Sequence, residues 1–198
     1  VIVASGLVVF SEETLSWGLV RTSLFQTISM GTTTGFTTTQ FQLWPAFLPL
    51  IVIMTSFIGA CAGSTGGGIK VVRCLLLFKQ GVREIRRLVH PNAIIPIRMG
   101  GRAVSDRVIE AVWGFFATYV VVFIFLLLSL MATGLDQITA FSAVTACLNN
   151  LGPGLGKVSQ HYGDIPMAAK YLLSFAMLLG RLEIFTLLVI LTPAFWRS

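Results

Sequence analysis

Two short runs of the sequence are rich in oxygen donors of the kind a bare cation needs. Residues 31–39 read GTTTGFTTT and residues 149–154 read NNLGPG. Neither offers a thiolate, an imidazole or a carboxylate, so neither can hold a transition metal or run acid–base chemistry. Each is a glycine-bearing turn of main-chain carbonyls with Thr or Asn ahead of the glycine. Aimed at a pore, such carbonyls replace the water shell of a monovalent ion. Glycine allows the dihedrals this needs, and a Thr hydroxyl adds one more oxygen. In a soluble chain the same run would be an ordinary polar turn or helix cap, so its surroundings decide.

A third run, GACAGSTGGGIK at 59–70, invites a phosphate-loop reading. Gly63 and Gly68 have the G-x-x-x-x-G spacing, but Ile69 follows where Lys should stand, and no Ser or Thr follows Lys70. Close helix packing through small residues is the plainer alternative. Arg181 lies inside LLSFAMLLGRLEIFTLLVI, where a charge is costly and by default functional. Pairing with Glu183 is disfavoured, because positions i and i+2 point to different helix faces. Cys61, Cys74, Cys147, His90 and His161 are scattered and suggest neither a metal site nor a disulfide framework.

These runs sit in an apolar chain. It is 55% hydrophobic and 11% charged, with a mean hydropathy of +0.85, against about a quarter charged in soluble domains. An all-α integral membrane protein is the expected class. The start lacks the basic segment of a signal peptide and has no Met, so the chain reads as a piece of a longer protein. The net charge is +6, and much of it is concentrated in Lys70, Arg73, Lys79, Arg83, Arg86, Arg87, Arg98, Arg102 and Arg107. Between apolar helices this is the positive-inside signature of a cytoplasmic linker rather than a nucleic-acid patch.

The elements repeat. A membrane helix, a short re-entrant helix, a Gly-bearing turn and a second membrane helix occur twice, displaced by about 117 residues. The expected bounds are 1–79 for the first copy, with a truncated helix, a pore helix over 17–32, a turn over 33–37 and a broken helix over 45–79. A basic linker follows over 80–106. The second copy, 107–198, has a helix over 107–133, a pore helix over 136–148, a turn over 149–154 and a helix over 167–195, interrupted by Gly180, Arg181 and Glu183. With the linker inside, the turns open outward and the C-terminus, near Arg197, is cytoplasmic.

TTTGFTTTQF, GSTGGGIKV, NNLGPGLG and the pair Gly180-Arg181, in this order, resemble the pore-forming membrane subunit of the bacterial Trk/Ktr potassium-uptake family. The resemblance covers essentially the whole chain. It implies four potassium-channel-like repeats around one pore in the bacterial inner membrane, of which this chain matches the third and fourth. It places Thr33, Thr34, Gly35 and Phe36 in the third filter strand. Asn150, Leu151, Gly152 and Pro153 form the fourth, with Asn149 at its entrance, and potassium is bound by these residues. The fourth strand departs from TVGYG, with Asn for Thr and Pro for Tyr, which implies looser selectivity. Gly59, Gly63, Ser64, Thr65, Gly66, Gly67 and Gly68 would form an intramembrane gate below the filter, with Arg181 as a positive barrier. Alanines at Gly66, Gly67 and Gly68 are expected to change flux without disturbing assembly.

The resemblance also implies a homodimer and a cytosolic nucleotide-binding regulatory subunit of the TrkA type. ATP, ADP or NAD would bind there; no cofactor is expected in this chain. Membrane lipid is the other partner, and nucleic acid is not one. A secondary transporter binding a small solute at the midplane is the alternative. An enzyme would need a nucleophile, acid or metal cluster that the chain lacks.

Overall fold

The computed structural model describes residues 16–182, apart from 46, 60, 62, 65 and 94, together with residue 189. The helix expected at the start, Thr65, Glu183, Arg197 and the far end of the 167–195 helix lie outside the described residues.

The described chain is all-α apart from one two-residue hairpin. Helix α1 (Trp17–Gly31) begins at Ser16, whose backbone is extended and whose hydroxyl accepts the Leu19 N–H at 3.2 Å. It ends one residue short of the expected 17–32. Helix α2 (Leu48–Ile58) has Pro49 in its first turn, where the missing N–H costs nothing, and stops at Gly59. The described residues between Gly59 and Lys70 are non-helical, and helix α3 (Val71–Val89) follows. The element expected over 45–79 is therefore two helices with a wide break.

The second of these helices overruns its expected end. Residues 80–89, assigned to the linker, are helical because Gln80, Glu84 and Arg87 bond along one face. Gln80 Nε2 donates to Glu84 Oε1 at 2.6 Å, and Arg87 Nη1 donates to the same oxygen at 3.3 Å. Arg86 and Arg87 also lie in the last turn, where positive charge meets the helix dipole favourably. The remaining linker folds back as β1 (Arg98–Met99) on β2 (Arg102–Ala103). Gly100 and Gly101, both at positive φ, make the turn.

Helix α4 (Asp106–Ala132) is, among the described residues, the one helix long and apolar enough to cross a membrane, with a mean hydropathy of 2.6 over its most apolar 18 residues. It begins and ends one residue earlier than the expected 107–133. Helix α5 (Gln137–Leu148) is the second short helix, and helix α6 (Met167–Arg181) includes Gly180 and ends at Arg181, within the expected interruption.

Helix α5 is the centre of the packing. Nine of its residues are buried, among them Ala140, Ala143, Val144 and Leu148. Its small side chains let α4 and α6 close around it through Tyr119, Leu126, Leu173 and Ala176. The end of α5 also reaches the other cluster, where Ala146 and Leu151 meet Met30, Val52 and Ile53. Both turns are thus held against one continuous body.

Asp136 caps α5, accepting the Thr139 N–H at 3.0 Å. That bond holds the exposed carboxyl below its ordinary range. The folded value lies below the unfolded one, so the stabilisation is full at neutral pH and is lost as pH falls through the lowered value. Asp136→Ala is expected to cost about 1 kcal/mol, read as a lower thermal midpoint at pH 7 and little difference in acid. Asp136→Asn should keep most of the bond and lose the pH dependence.

Candidate functional site

Past α1 and α5 the backbone makes the same turn twice. After α1, Thr32, Thr33 and Thr34 N–H groups donate to Ile28, Met30 and Ser29 carbonyls at 2.9, 3.1 and 2.8 Å. After α5, Asn149, Asn150 and Leu151 donate to Thr145, Cys147 and Ala146 at 3.1, 3.1 and 2.7 Å. Every donor and acceptor in the second set lies the same number of positions beyond its counterpart, as Asn149 does beyond Thr32. The dihedrals match as well. Thr33 and Asn150 have φ of 57° and 52°, and Gly35 and Gly152 have 80° and 102°.

A β-branched residue at positive φ is strained, and Thr33 is held there by its own hydroxyl. That group donates to the Thr32 carbonyl at 2.7 Å and accepts the Gly67 N–H at 2.9 Å. The two turns also touch. A Cβ on Gly35 would overlap the Leu151 carbonyl oxygen and lie 3.2 Å from Cδ of Pro153. Glycine at 35 is therefore required twice, by dihedral and by contact.

A cavity lies on each side of the paired turns. One, of about 680 Å³, is lined by Gly35, Thr37, Gly152, Pro153 and Tyr162. The other, of about 360 Å³, is lined by Thr33, Thr34, Gly67, Asn150 and Arg181. Among the described residues, the carbonyls of Thr33, Thr34, Gly35, Asn150 and Leu151 accept no hydrogen bond. Of these residues Leu151 is buried, Thr34 is exposed and the others are half-buried, so the oxygens are open to water or an ion, and this row is what the arrangement can offer a cation.

Three expected ligands sit differently. The Phe36 carbonyl turns back to accept from Ser29 Oγ at 2.7 Å, while its ring is 71% exposed. The Gly152 carbonyl accepts from Tyr162 Oη at 2.8 Å, which leaves one lone pair for a ligand. The Asn149 side chain is fully buried and points away from both cavities. Its Oδ1 accepts from Tyr119 Oη at 2.6 Å and its Nδ2 donates to Ser56 Oγ at 3.0 Å, so it ties α4 and α2 to the second turn. Leu151 packs its side chain into the core and presents only its carbonyl toward Gly35.

The glycine-rich run folds directly under the turns. A Cβ on Gly67 would overlap the Asn149 carbonyl. One on Gly59 would overlap the Gly67 carbonyl, and one on Gly68 would lie 2.5 Å from the Ser56 carbonyl. The expectation that alanines here leave assembly intact is therefore wrong for Gly67 and Gly68, which abut backbone rather than open space. Gly63 meets nothing within 4 Å. Ser64 Oγ donates to the Cys61 carbonyl at 2.7 Å, as expected for a hydroxyl satisfying freed backbone.

Two anchoring groups were not anticipated. Lys70 Nζ donates to the carbonyls of Ser64 at 2.5 Å and Gly66 at 2.8 Å, clamping the run from below. Gln26, wholly buried in α1, donates to the Thr39 carbonyl and hydroxyl, each at 3.1 Å, and pins the segment leaving the first turn. Counting Lys70 only toward the positive-inside charge hid its role.

Arg181 reaches the smaller of these two cavities, and Gly180 lets α6 close on α5 beside it. A Cβ there would overlap the Leu148 carbonyl. Arg181 also lines a neighbouring cavity of about 220 Å³ with Lys70 and Arg73, and Arg73 stacks over Phe115 at 4.1 Å. The space beneath the turns is thus positively charged. Among the described residues no cluster of His, Cys, Asp or Glu could hold a metal ion.

Comparison with known proteins gives consistent matches. The family described as TrkH, cation transport protein, matches residues 17–198. The Trk system potassium uptake protein TrkH of Vibrio parahaemolyticus is 61% identical over 89% of this chain and 36% of its own length. TrkH of Escherichia coli K12 is 55% identical over 90% of this chain and 37% of its own length. The crystal structure of the potassium transporter TrkH from Vibrio parahaemolyticus superimposes with a TM-score of 0.91 at 55% identity. It covers 99% of this chain and 42% of that one. The chain spans little more than a third of the length of these curated relatives.

Proposed function

Because the chain belongs to the TrkH family of cation transport proteins, we propose that its paired turns are two strands of a potassium filter. The protein containing them takes up potassium across the bacterial inner membrane. The observation that carries this reading is the row of unpaired carbonyls at 33–35 and 150–151, repeated in one geometry between an outer and an inner cavity. Potassium sheds water at the outer cavity, is held by these oxygens, and then meets the glycine-rich run and Arg181. Entry is driven by the membrane potential, about 2.3 kcal/mol per charge per 100 mV. Two further repeats elsewhere in the protein complete the ring. The linker faces the cytoplasm, as does the C-terminus. A homodimer gated by a TrkA-type subunit carrying ATP, ADP or NAD completes the system.

The test is rubidium uptake by the full-length protein in potassium-loaded liposomes. Uptake blocked by external potassium, and untouched by organic solutes, is expected. Uptake that saturates with an organic solute in place of rubidium would overturn the reading.

Arg181 supplies a second prediction. A unit charge about 8 Å from a passing cation, at an effective dielectric near 20, is worth about 2 kcal/mol. Arg181→Ala should therefore raise rubidium flux about tenfold or more, whereas Arg181→Lys should not. Equal or lower flux in the alanine variant contradicts a barrier.

A further inference from the structure

The cytoplasmic end of α3 carries two parallel stripes that the permeation path does not use. Phe78, Val82, Ile85 and Val89 recur at i, i+4, i+7 and i+11, on one helix face. Phe78, Ile85 and Val89 are 71%, 65% and 68% exposed. Beside them runs a basic stripe of Lys79, Arg83 and Arg86. The segment 95–98 folds over this second stripe, enclosing a groove of about 340 Å³ with Arg98 at its rim and no acidic residue in its lining.

The groove is built rather than incidental. Lys79 Nζ donates to the Arg98 carbonyl at 2.7 Å, fastening the segment to the helix. The Arg83 side chain is only 9% exposed. Its Nη1 donates to Asp106 Oδ1 at 2.9 Å, but its buried Nε has no acceptor, the nearest carboxylate oxygen being Glu84 Oε1 at 3.7 Å. A buried guanidinium left short of an acceptor is costly and fits a site for an anion.

The depth of the site indicates which anion. Asp106 opens the membrane-crossing helix α4, so its bond to Arg83 sets the groove level with the cytoplasmic end of that helix. At 27 residues and about 1.5 Å per residue, α4 outspans a hydrocarbon core of about 30 Å, and its first residue stands among headgroups. Cations at headgroup depth, with an exposed apolar stripe alongside, match a phosphate with acyl chains attached. An acidic peptide would satisfy the arginines and leave Phe78 and Ile85 bare.

We propose that this groove binds the headgroup phosphate of an anionic phospholipid of the cytoplasmic leaflet, with its chains along Phe78, Val82 and Ile85. The proposal rests on the membrane placement given above, but not on the filter. Binding and permeation are therefore measured separately.

The experiment titrates the full-length protein, in neutral detergent, with dioleoyl-phosphatidylglycerol or dioleoyl-phosphatidylcholine and follows the thermal midpoint. Phosphatidylglycerol should raise it and phosphatidylcholine should not. Arg86→Gln combined with Arg98→Gln removes two exposed cations, and about tenfold or more phosphatidylglycerol should then be needed for the same shift. Arg102→Gln, outside the groove lining, should leave the titration unchanged. An unaltered titration in the double variant overturns the proposal. So does inorganic phosphate reproducing the lipid's effect, which would mean a free-anion site. A double variant that keeps the lipid response but loses a soluble partner or a second copy would assign the groove to protein. Unsubstituted protein that shows the lipid response but takes up no rubidium would count against the filter alone.

Discussion

Gly35→Ala should lower rubidium uptake at least tenfold in the full-length protein, counted per molecule present in the membrane. The dihedral alone, at φ 80°, costs a non-glycine residue about 1–2 kcal/mol. The larger effect is positional. The new methyl would occupy the space of the Leu151 carbonyl and press on Pro153, so both turns must separate. Carbonyls that replace a hydration shell work only at the right distance, and a displacement of about 1 Å can cost a hundredfold where geometry is critical. Gly134→Ala is the control, with a φ of 89° and open space around it. It carries the dihedral cost without the collision and should leave flux close to normal. If both variants transport equally well, contact between the two turns is irrelevant to permeation.

Asn149→Leu is expected to have the largest effect on stability. It leaves Tyr119 Oη, deep in the packing, without its acceptor and removes the amide donor from Ser56 Oγ, which keeps its bond to the Ile53 carbonyl at 2.7 Å. The stranded hydroxyl costs about 1–3 kcal/mol, so a loss of about 2 kcal/mol or more in thermal or denaturant unfolding is anticipated. Tyr119→Phe alone should be destabilising too, since it strands Oδ1 of Asn149. The double variant Asn149→Leu with Tyr119→Phe should lose clearly less than the sum of the two. Strict additivity would mean that the hydrogen bond contributes nothing beyond the packing of either side chain.

The parts of this architecture that were legible share a property: they are local. A glycine after Thr or Asn, a short Ser/Thr/Ala helix before it and an apolar run after it can all be read along the chain. The turns at Gly35 and Gly152 and the helices leading into them lie where that pattern put them, within a residue. What was missed depends on groups far apart in sequence. Asn149 looked like a pore ligand because it precedes Asn150. Its role as a strut appears only when Tyr119 and Ser56 are brought beside it. Lys70 and Gln26 likewise act on carbonyls that no spacing rule connects to them.

Two other differences had visible signals. The stripe Phe78, Val82, Ile85, Val89 continues the helical period past residue 79, but the density of arginines made the segment look like linker. Gly100-Gly101 between short polar-apolar pairs is a hairpin turn signal, overlooked because nothing in an all-helical reading called for a strand.

The bond from the Gly67 amide to the Thr33 hydroxyl makes the first turn, the proposed filter strand, and the run beneath it thermodynamically reciprocal. Thr33 keeps its unfavourable dihedral partly because Gly67 is in place, so withdrawing the run relaxes the oxygens above. Linkage then works in both directions: an ion that favours the arranged turn also favours the closed run, by the same free energy. On the proposed function, external potassium would thus act as an allosteric ligand of its own passage, setting how readily the proposed barrier yields.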